Sequence, residues 1–145
     1  MKKFLMSVTT VVAVAGSIIA LNVSPTRAVV KESSAISWGS DLKKAMTTAA
    51  KSKKLILLDF GATWCGPCKQ MLATTYKDKA VVAKVKTFVP VLIDIDKQPT
   101  VAQKYKVEAV PTMILVDAKG NVVKQTLGYS KAPEFLAFLN SAKAK

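Results

Sequence analysis

Residues 55–69 read LILLDFGATWCGPCK. The first six are apolar except for Asp59 and are bounded by polar residues, which predicts a short strand buried on both faces. Gly61 to Trp64 form a loop, and a helix is expected to open at Cys65 and run to about Tyr76. Cys65 then lies at a helix N-terminus, where free N–H groups and the dipole favour an anion and so favour the thiolate. Cys68 follows about one turn later on the same side, where its thiol can attack a mixed disulfide formed at Cys65. Gly66 allows close approach of a substrate chain, and Pro67 fixes φ in the first turn. The strand before and the helix after set this C-x-x-C apart from a structural bridge or two inert thiols.

On the N-terminal side, Trp38 is expected to anchor the edge of the domain. Ser40 is a plausible N-cap with Asp41 in the first turn, and Leu42, Ala45, Met46, Ala49 and Ala50 recur at helical spacing. Lys51 to Lys54 end that helix with positive charge, which suits its C-terminal dipole. On the C-terminal side the pattern predicts a short helix over 79–86 and a strand over 88–94. Pro90 argues for a strand start or a bulge near that point. A short helix over 99–105, a strand over 112–116, a turn at 118–121 and a hairpin partner over 121–126 follow. A last helix over about 131–142, capped by Ser130, buries Phe135, Leu136, Phe138 and Leu139. This order predicts an α/β fold: a mixed, mainly parallel sheet, helices on both faces and a C-terminal antiparallel hairpin.

Composition narrows the chemistry. The chain has 145 residues, 50% of them hydrophobic, and 22 Lys+Arg against 9 Asp+Glu for a net charge of +13. It has no histidine and two cysteines. That excludes Ser-His-Asp and Cys-His triads, His-ligated metals and four-Cys zinc or iron–sulfur sites within the chain. The cysteine pair is either a redox centre or half of an intermolecular metal site. Asp94 and Asp96 alternate with Ile93 and Ile95, and with no third ligand they read as strand-end surface residues rather than a metal pair. The positive charge is almost all lysine and evenly spread, a solvated coat more than a nucleic-acid site, which would favour arginine.

Lys2 and Lys3 precede an apolar run from Phe4 to Val23, and Ser24-Pro25-Thr26-Arg27-Ala28 follows. This reads as a signal peptide over residues 1–28, cleaved after Ala28, ahead of one domain over residues 29–145. The alternative is an uncleaved membrane anchor, since about 20 apolar residues can span a bilayer. Either places the domain outside the cytosol, periplasmic or extracellular, where disulfides persist.

From Trp64 to Lys69 the chain resembles the thioredoxin superfamily, whose active-site sequence is WCGPCK. The resemblance runs from about Trp38 to Leu139. Ala109-Val110-Pro111-Thr112 is similar to the family's cis-proline loop and Gly128 to its late glycine. The ISW lead-in, the Lys-rich first helix and Gly128-Tyr129 look more like secreted thioredoxins and the C-terminal domain of the electron carrier DsbD. The resemblance implies a thioredoxin fold and a set of roles. Cys65 is the nucleophile and Cys68 the resolving thiol of a redox-active disulfide. Pro111 lies cis against that disulfide, and Trp64, Gly66, Pro67, Val110 and Gly128 form a shallow docking rim. Asp59 matches the buried acid behind the resolving cysteine. Inside an apolar strand a carboxylate is costly, so a raised pKa and a role as proton acceptor for Cys68 are expected. Two positions depart from the family: Val91-Leu92-Ile93 is apolar where a lysine commonly approaches the acid, and Gly61 stands where an aromatic residue is common.

The function implied is an exported, monomeric thiol–disulfide oxidoreductase that reduces disulfides of exported proteins. It needs no cofactor, draws electrons from a membrane dithiol carrier and has no nucleic-acid partner. A net oxidant or isomerase, or a chaperone holding Cu(I) between two thiolates, are the alternatives. Met71 is the one extra soft ligand near the motif.

Overall fold

The computed structural model describes residues 35–142; the expected leader lies outside them. The elements are α1 (Leu42–Ser52), β1 (Ile56–Gly61), α2 (Gly66–Ala73), a 3₁₀ turn (Thr75–Lys77) and α3 (Lys79–Val85). They continue with β2 (Val89–Asp94), α4 (Pro99–Lys104), β3 (Thr112–Val116), β4 (Val122–Leu127) and α5 (Ala132–Asn140). The strands form one sheet in the order β2-β1-β3-β4.

The sheet is mixed, but it is not mainly parallel as the sequence suggested. Only β1–β2 is parallel; β1–β3 and β3–β4 are antiparallel. After β2 the chain runs through residues 95–111, with α4 among them, and re-enters at the end of the sheet where β2 stops, so β3 lies antiparallel to β1.

β1 alternates between two cores. Ile56, Leu58 and Phe60 pack with Ala45 and Ala49 of α1, Ala102 of α4, and Val91 and Ile93 of β2. Leu57 faces the other way, into Met71 of α2, Tyr76, Val81 and Val85 of α3, and Phe135, Phe138 and Leu139 of α5. Helices therefore cover both faces. Trp38 stacks obliquely on Tyr76 with ring centroids 5.1 Å apart, and Tyr76 meets Phe135 at 5.4 Å. Gly39 adds an isolated bridge outside β2: its N–H donates to Pro90 O and its carbonyl accepts from Leu92 N–H, both at 2.9 Å. Pro90 thus sits within β2, on the side of the sheet where only Gly39 pairs.

Local chemistry moves several boundaries. α1 is capped by Asp41, whose carboxylate accepts from Lys44 N–H at 2.9 Å, and not by Ser40. α5 is preceded by Lys131 and not capped by Ser130; Glu134 accepts the Lys131 N–H at 3.0 Å. Ser130 instead gives its carbonyl to the Thr75 hydroxyl at 2.7 Å. The helix expected from Cys65 to Tyr76 breaks at Thr74, whose hydroxyl bonds back to Gln70 O at 2.7 Å. Such back-bonding competes with the helical ladder. Leu136 is half-buried; Phe135, Phe138 and Leu139 carry the contact face of α5.

Phe135 is fully buried between Tyr76 and Phe138. Phe135→Ala is expected to lower the unfolding free energy in urea by about 3–5 kcal/mol. Val123→Ala on exposed β4 should change it by no more than about 0.5 kcal/mol. Equal losses at the two positions would contradict this assignment of the core.

Candidate active site

The site is built on the row of backbone where β1 ends. Gly61 is the last residue of β1 and stands opposite Asp94, the last of β2. The β1–β3 register, Phe60 opposite Thr112, places Pro111 across from Gly61 one step further on. Gly128 N–H donates to Pro111 O at 2.8 Å. Gly128 has φ +93, a conformation glycine adopts without strain. The Val110–Pro111 peptide is cis. Ala62 and Thr63 lead from Gly61 into the motif, and Cys65 N–H bonds back to Ala62 O at 3.1 Å.

Cys65 and Cys68 form a disulfide. Cys65 is the N-cap of α2: its Sγ accepts from Cys68 N–H at 3.2 Å. Gly66 and Pro67 occupy the first two helical positions, where proline's missing N–H costs nothing. A negative charge on Cys65 Sγ would meet both that N–H and the positive end of the helix dipole. The two cysteine residues differ in burial. Cys65 is only 2% exposed, whereas Cys68 is half-buried.

The reason for Cys68's exposure lies in Gly61. A Cβ at Gly61 would sit 3.5 Å from Cys68 Sγ, so any side chain there would lie over the sulfur. Glycine leaves that space open. The result is a cavity of about 270 Å³ lined by Asp59, Gly61, Ala62, Cys68, Leu72 and Leu92, with Lys69 and Asp94 also in its wall.

Asp59 lies on the same face of β1 as Gly61, two residues earlier, and is 5% exposed. It stands opposite Leu92 on β2 and Met113 on β3. Burial raises its pKa to about 7. The nearby Tyr76 hydroxyl favours the carboxylate but too weakly to offset that burial. The contact falls short of hydrogen-bond geometry, because Asp59 Oδ1 and the Tyr76 hydroxyl are both buried without a partner. The Tyr76 hydroxyl is itself pushed well above the usual phenol range, by burial first and then by Asp59.

Of the residues expected at a docking rim, Trp64, Gly66 and Pro67 are exposed, Val110 and Gly128 are half-buried, and Pro111 is buried beneath them. Trp64 is 65% exposed, yet it is fixed: its indole N–H donates to Asp96 Oδ2 at 2.9 Å. Asp96 lies beyond the end of β2, in a turn where its N–H donates to Asp94 Oδ1 at 3.0 Å. Lys97 pairs with Asp94 Oδ2 at 3.6 Å. The two acids are thus engaged locally, and Asp96 holds the tryptophan. Asp96 and Tyr76 are the site neighbours that sequence reading missed; each is joined to its partner only by the fold.

A redox disulfide at a helix N-terminus, at the end of a central strand that carries a buried acid, defines a thiol–disulfide oxidoreductase site on an α/β scaffold. Residues 42–143 match the family model described as a thioredoxin-like domain, and the chain belongs to that family. It is 35% identical over 92 residues to a thioredoxin of Chlorobaculum thiosulfatiphilum, covering 59% of this chain and 77% of that protein. It is 37% identical over 103 residues to thioredoxin H3 of Arabidopsis thaliana, covering 71% and 83%. Among solved structures it is similar to the oxidised C-terminal domain of DsbD from Neisseria meningitidis. That match has a TM-score of 0.64 at 28% identity and covers 74% of this chain and 100% of that one. The protein is a thiol–disulfide oxidoreductase with the thioredoxin fold.

The acid provides a test on stability. The unfolded chain ionises Asp59 near the ordinary value of 3.8, while the folded chain holds its proton up to about 7. Wild type therefore loses stability as pH rises from 4 to 8, and Asp59→Asn does not. At 1.36 kcal/mol per pH unit the loss approaches about 4 kcal/mol. Urea denaturation should find Asp59→Asn more stable than wild type at pH 8, with the advantage gone at pH 4. A pH-independent difference would show that Asp59 is not held protonated.

Proposed function

We propose that this protein is exported and works as a reductase of disulfides in exported proteins. The observation that carries the chemistry is the placement of Cys65 Sγ as the N-cap of α2, with the Cys68 amide donating to it. In the reduced protein that position favours the Cys65 thiolate. Cys65 attacks one sulfur of a substrate disulfide, forming a mixed disulfide and releasing the other substrate sulfur as a thiolate. Cys68 then attacks Cys65 Sγ, which closes the Cys65–Cys68 disulfide and releases the second substrate thiolate. The Cys68 proton goes to Asp59, whose pKa of about 7 suits an acceptor near neutral pH.

Substrate docks on the rim of Trp64, Gly66 and Pro67, extended by Val110 and Gly128 over Pro111. The hydrogen bond to Asp96 holds the Trp64 ring in place for that contact. Export is supported by Lys2-Lys3, the apolar run to Val23 and the small-residue junction at Ala28. Similarity to the DsbD C-terminal domain supports a membrane dithiol carrier as electron donor.

Cys68→Ser is expected to accumulate mixed disulfides through Cys65 when it is purified from the cell envelope under acid quench, and Cys65→Ser is expected to accumulate none. The reverse pattern would overturn the assignment of roles. The exported chain should begin at Val29; N-terminal sequencing that starts at Met1 in a membrane fraction would establish an anchored form instead.

A further inference from the structure

Tyr76 meets the buried acid from outside the strand that carries it. It lies in the 3₁₀ turn after α2, and it is 4% exposed. Its ring is held on two sides, by Trp38 at 5.1 Å and by Phe135 at 5.4 Å between centroids. Its hydroxyl and Asp59 Oδ1 are the buried side-chain oxygens without a hydrogen-bond partner among the described residues, and the two groups are neighbours. Buried polar atoms are normally paired, and leaving two unpaired side by side is costly. Ionisation of Asp59 removes that cost, because a carboxylate oxygen accepts the phenol O–H.

The surroundings offer Oδ1 no other donor. Leu92 and Met113 stand opposite Asp59 on β2 and β3. On the same face, α3 brings Val81 and α5 brings Phe135. The titratable and charged groups around the acid, besides Tyr76, are Cys68 and Lys69 of α2 and Asp94 at the end of β2, all in the cavity wall. Asp59 reaches that cavity with the 5% exposure it keeps, whereas Oδ1 is sealed away from it.

We propose that Tyr76 is the positioning residue of the buried acid: its hydroxyl donates to Oδ1 of the ionised Asp59 from the inner side and leaves Oδ2 for the proton of Cys68. It serves where the apolar stretch Val91-Leu92-Ile93 provides no lysine. The inference rests on the reading of Asp59 as proton acceptor for Cys68 and adds the group that prepares it.

The step balances. Cys68 gives its proton to Asp59 Oδ2 as its sulfur bonds to Cys65 Sγ. The bond from Cys65 to the substrate sulfur breaks, and its electron pair leaves with the substrate thiolate. Tyr76 keeps its proton throughout, since burial and the neighbouring acid hold its hydroxyl well above the usual phenol range. Its donation favours the carboxylate and so preserves an acceptor at neutral pH.

The test mixes reduced protein with one equivalent of the aromatic disulfide dithionitrobenzoate in a stopped-flow instrument. Attack by Cys65 releases the first coloured thiolate, and attack by Cys68 on the mixed disulfide releases the second. Tyr76→Phe removes the hydroxyl and keeps the ring that packs on Trp38 and Phe135. Without the donor the Asp59 midpoint rises; a rise of half to one pH unit from near 7 cuts the carboxylate fraction at pH 7 about two- to fivefold. The second phase of Tyr76→Phe should slow by that factor at pH 7 and match wild type at about pH 9, with the first phase unchanged. Added to Asp59→Asn, the same substitution should change nothing. An unaffected second phase at pH 7 overturns the proposal. So does slowing by one factor at every pH, or slowing in the Asp59→Asn background, since either marks a purely structural effect. Equal second phases in wild type and Asp59→Asn would sink the reading of Asp59 itself. A slow Asp59→Asn beside an unaffected Tyr76→Phe would sink only this inference.

Discussion

β1 is hydrogen-bonded along both edges and covered by helices on both faces. Every polar group it carries is therefore desolvated, and it carries one: Asp59. The strand has to be apolar to sit at the centre of the sheet, and it has to end where the motif begins. Its alternation turns Asp59 and Gly61 toward the same side, the side on which α2 places Cys68. The chemistry of the site follows from that geometry. An acid with its pKa held near 7 and a sulfur at the helix start share one small cavity, while the cysteine that takes the negative charge sits one turn away at the cap.

Much of this could be read from residues 55–69. A short apolar run, a loop and a Cys-Gly-Pro-Cys helix start are local signals, and local signals survive folding. β3 was legible to the residue because Thr112–Val116 is wholly buried between a proline and a turn built on Asp117, whose carboxylate accepts from Lys119 and Asn121 N–H groups. Strand direction was not legible. It depends on which end of the sheet the chain re-enters after residues 95–111, and hydrophobic alternation does not contain that. Cap positions slipped by one residue because Ser40 and Asp41 are both competent caps, and only the backbone geometry selects Asp41.

The site's second layer was the least visible. Trp64 and Asp96 are 32 residues apart in sequence, and an exposed aspartate in a turn has no pattern that names its partner. Tyr76 read as the end of a long helix; the break at Thr74 instead makes it part of a separate turn that packs under Trp38 and against Phe135. Gly61 was noticed as a departure from the family pattern, but its consequence is structural. With no side chain at Gly61, Cys68 is the less buried of the two cysteines, although Cys65 Sγ is the one placed at the cap of α2.

The direction of electron flow is the central claim, and the reduction potential of the Cys65–Cys68 pair tests it most directly. Equilibration with dithiothreitol or glutathione buffers, read by alkylation of the free thiols, gives the value. A reductase of the kind proposed should lie near about −270 mV, the value of thioredoxin itself. A potential near about −120 mV, that of a strong disulfide donor, would contradict the account and make the protein an oxidant.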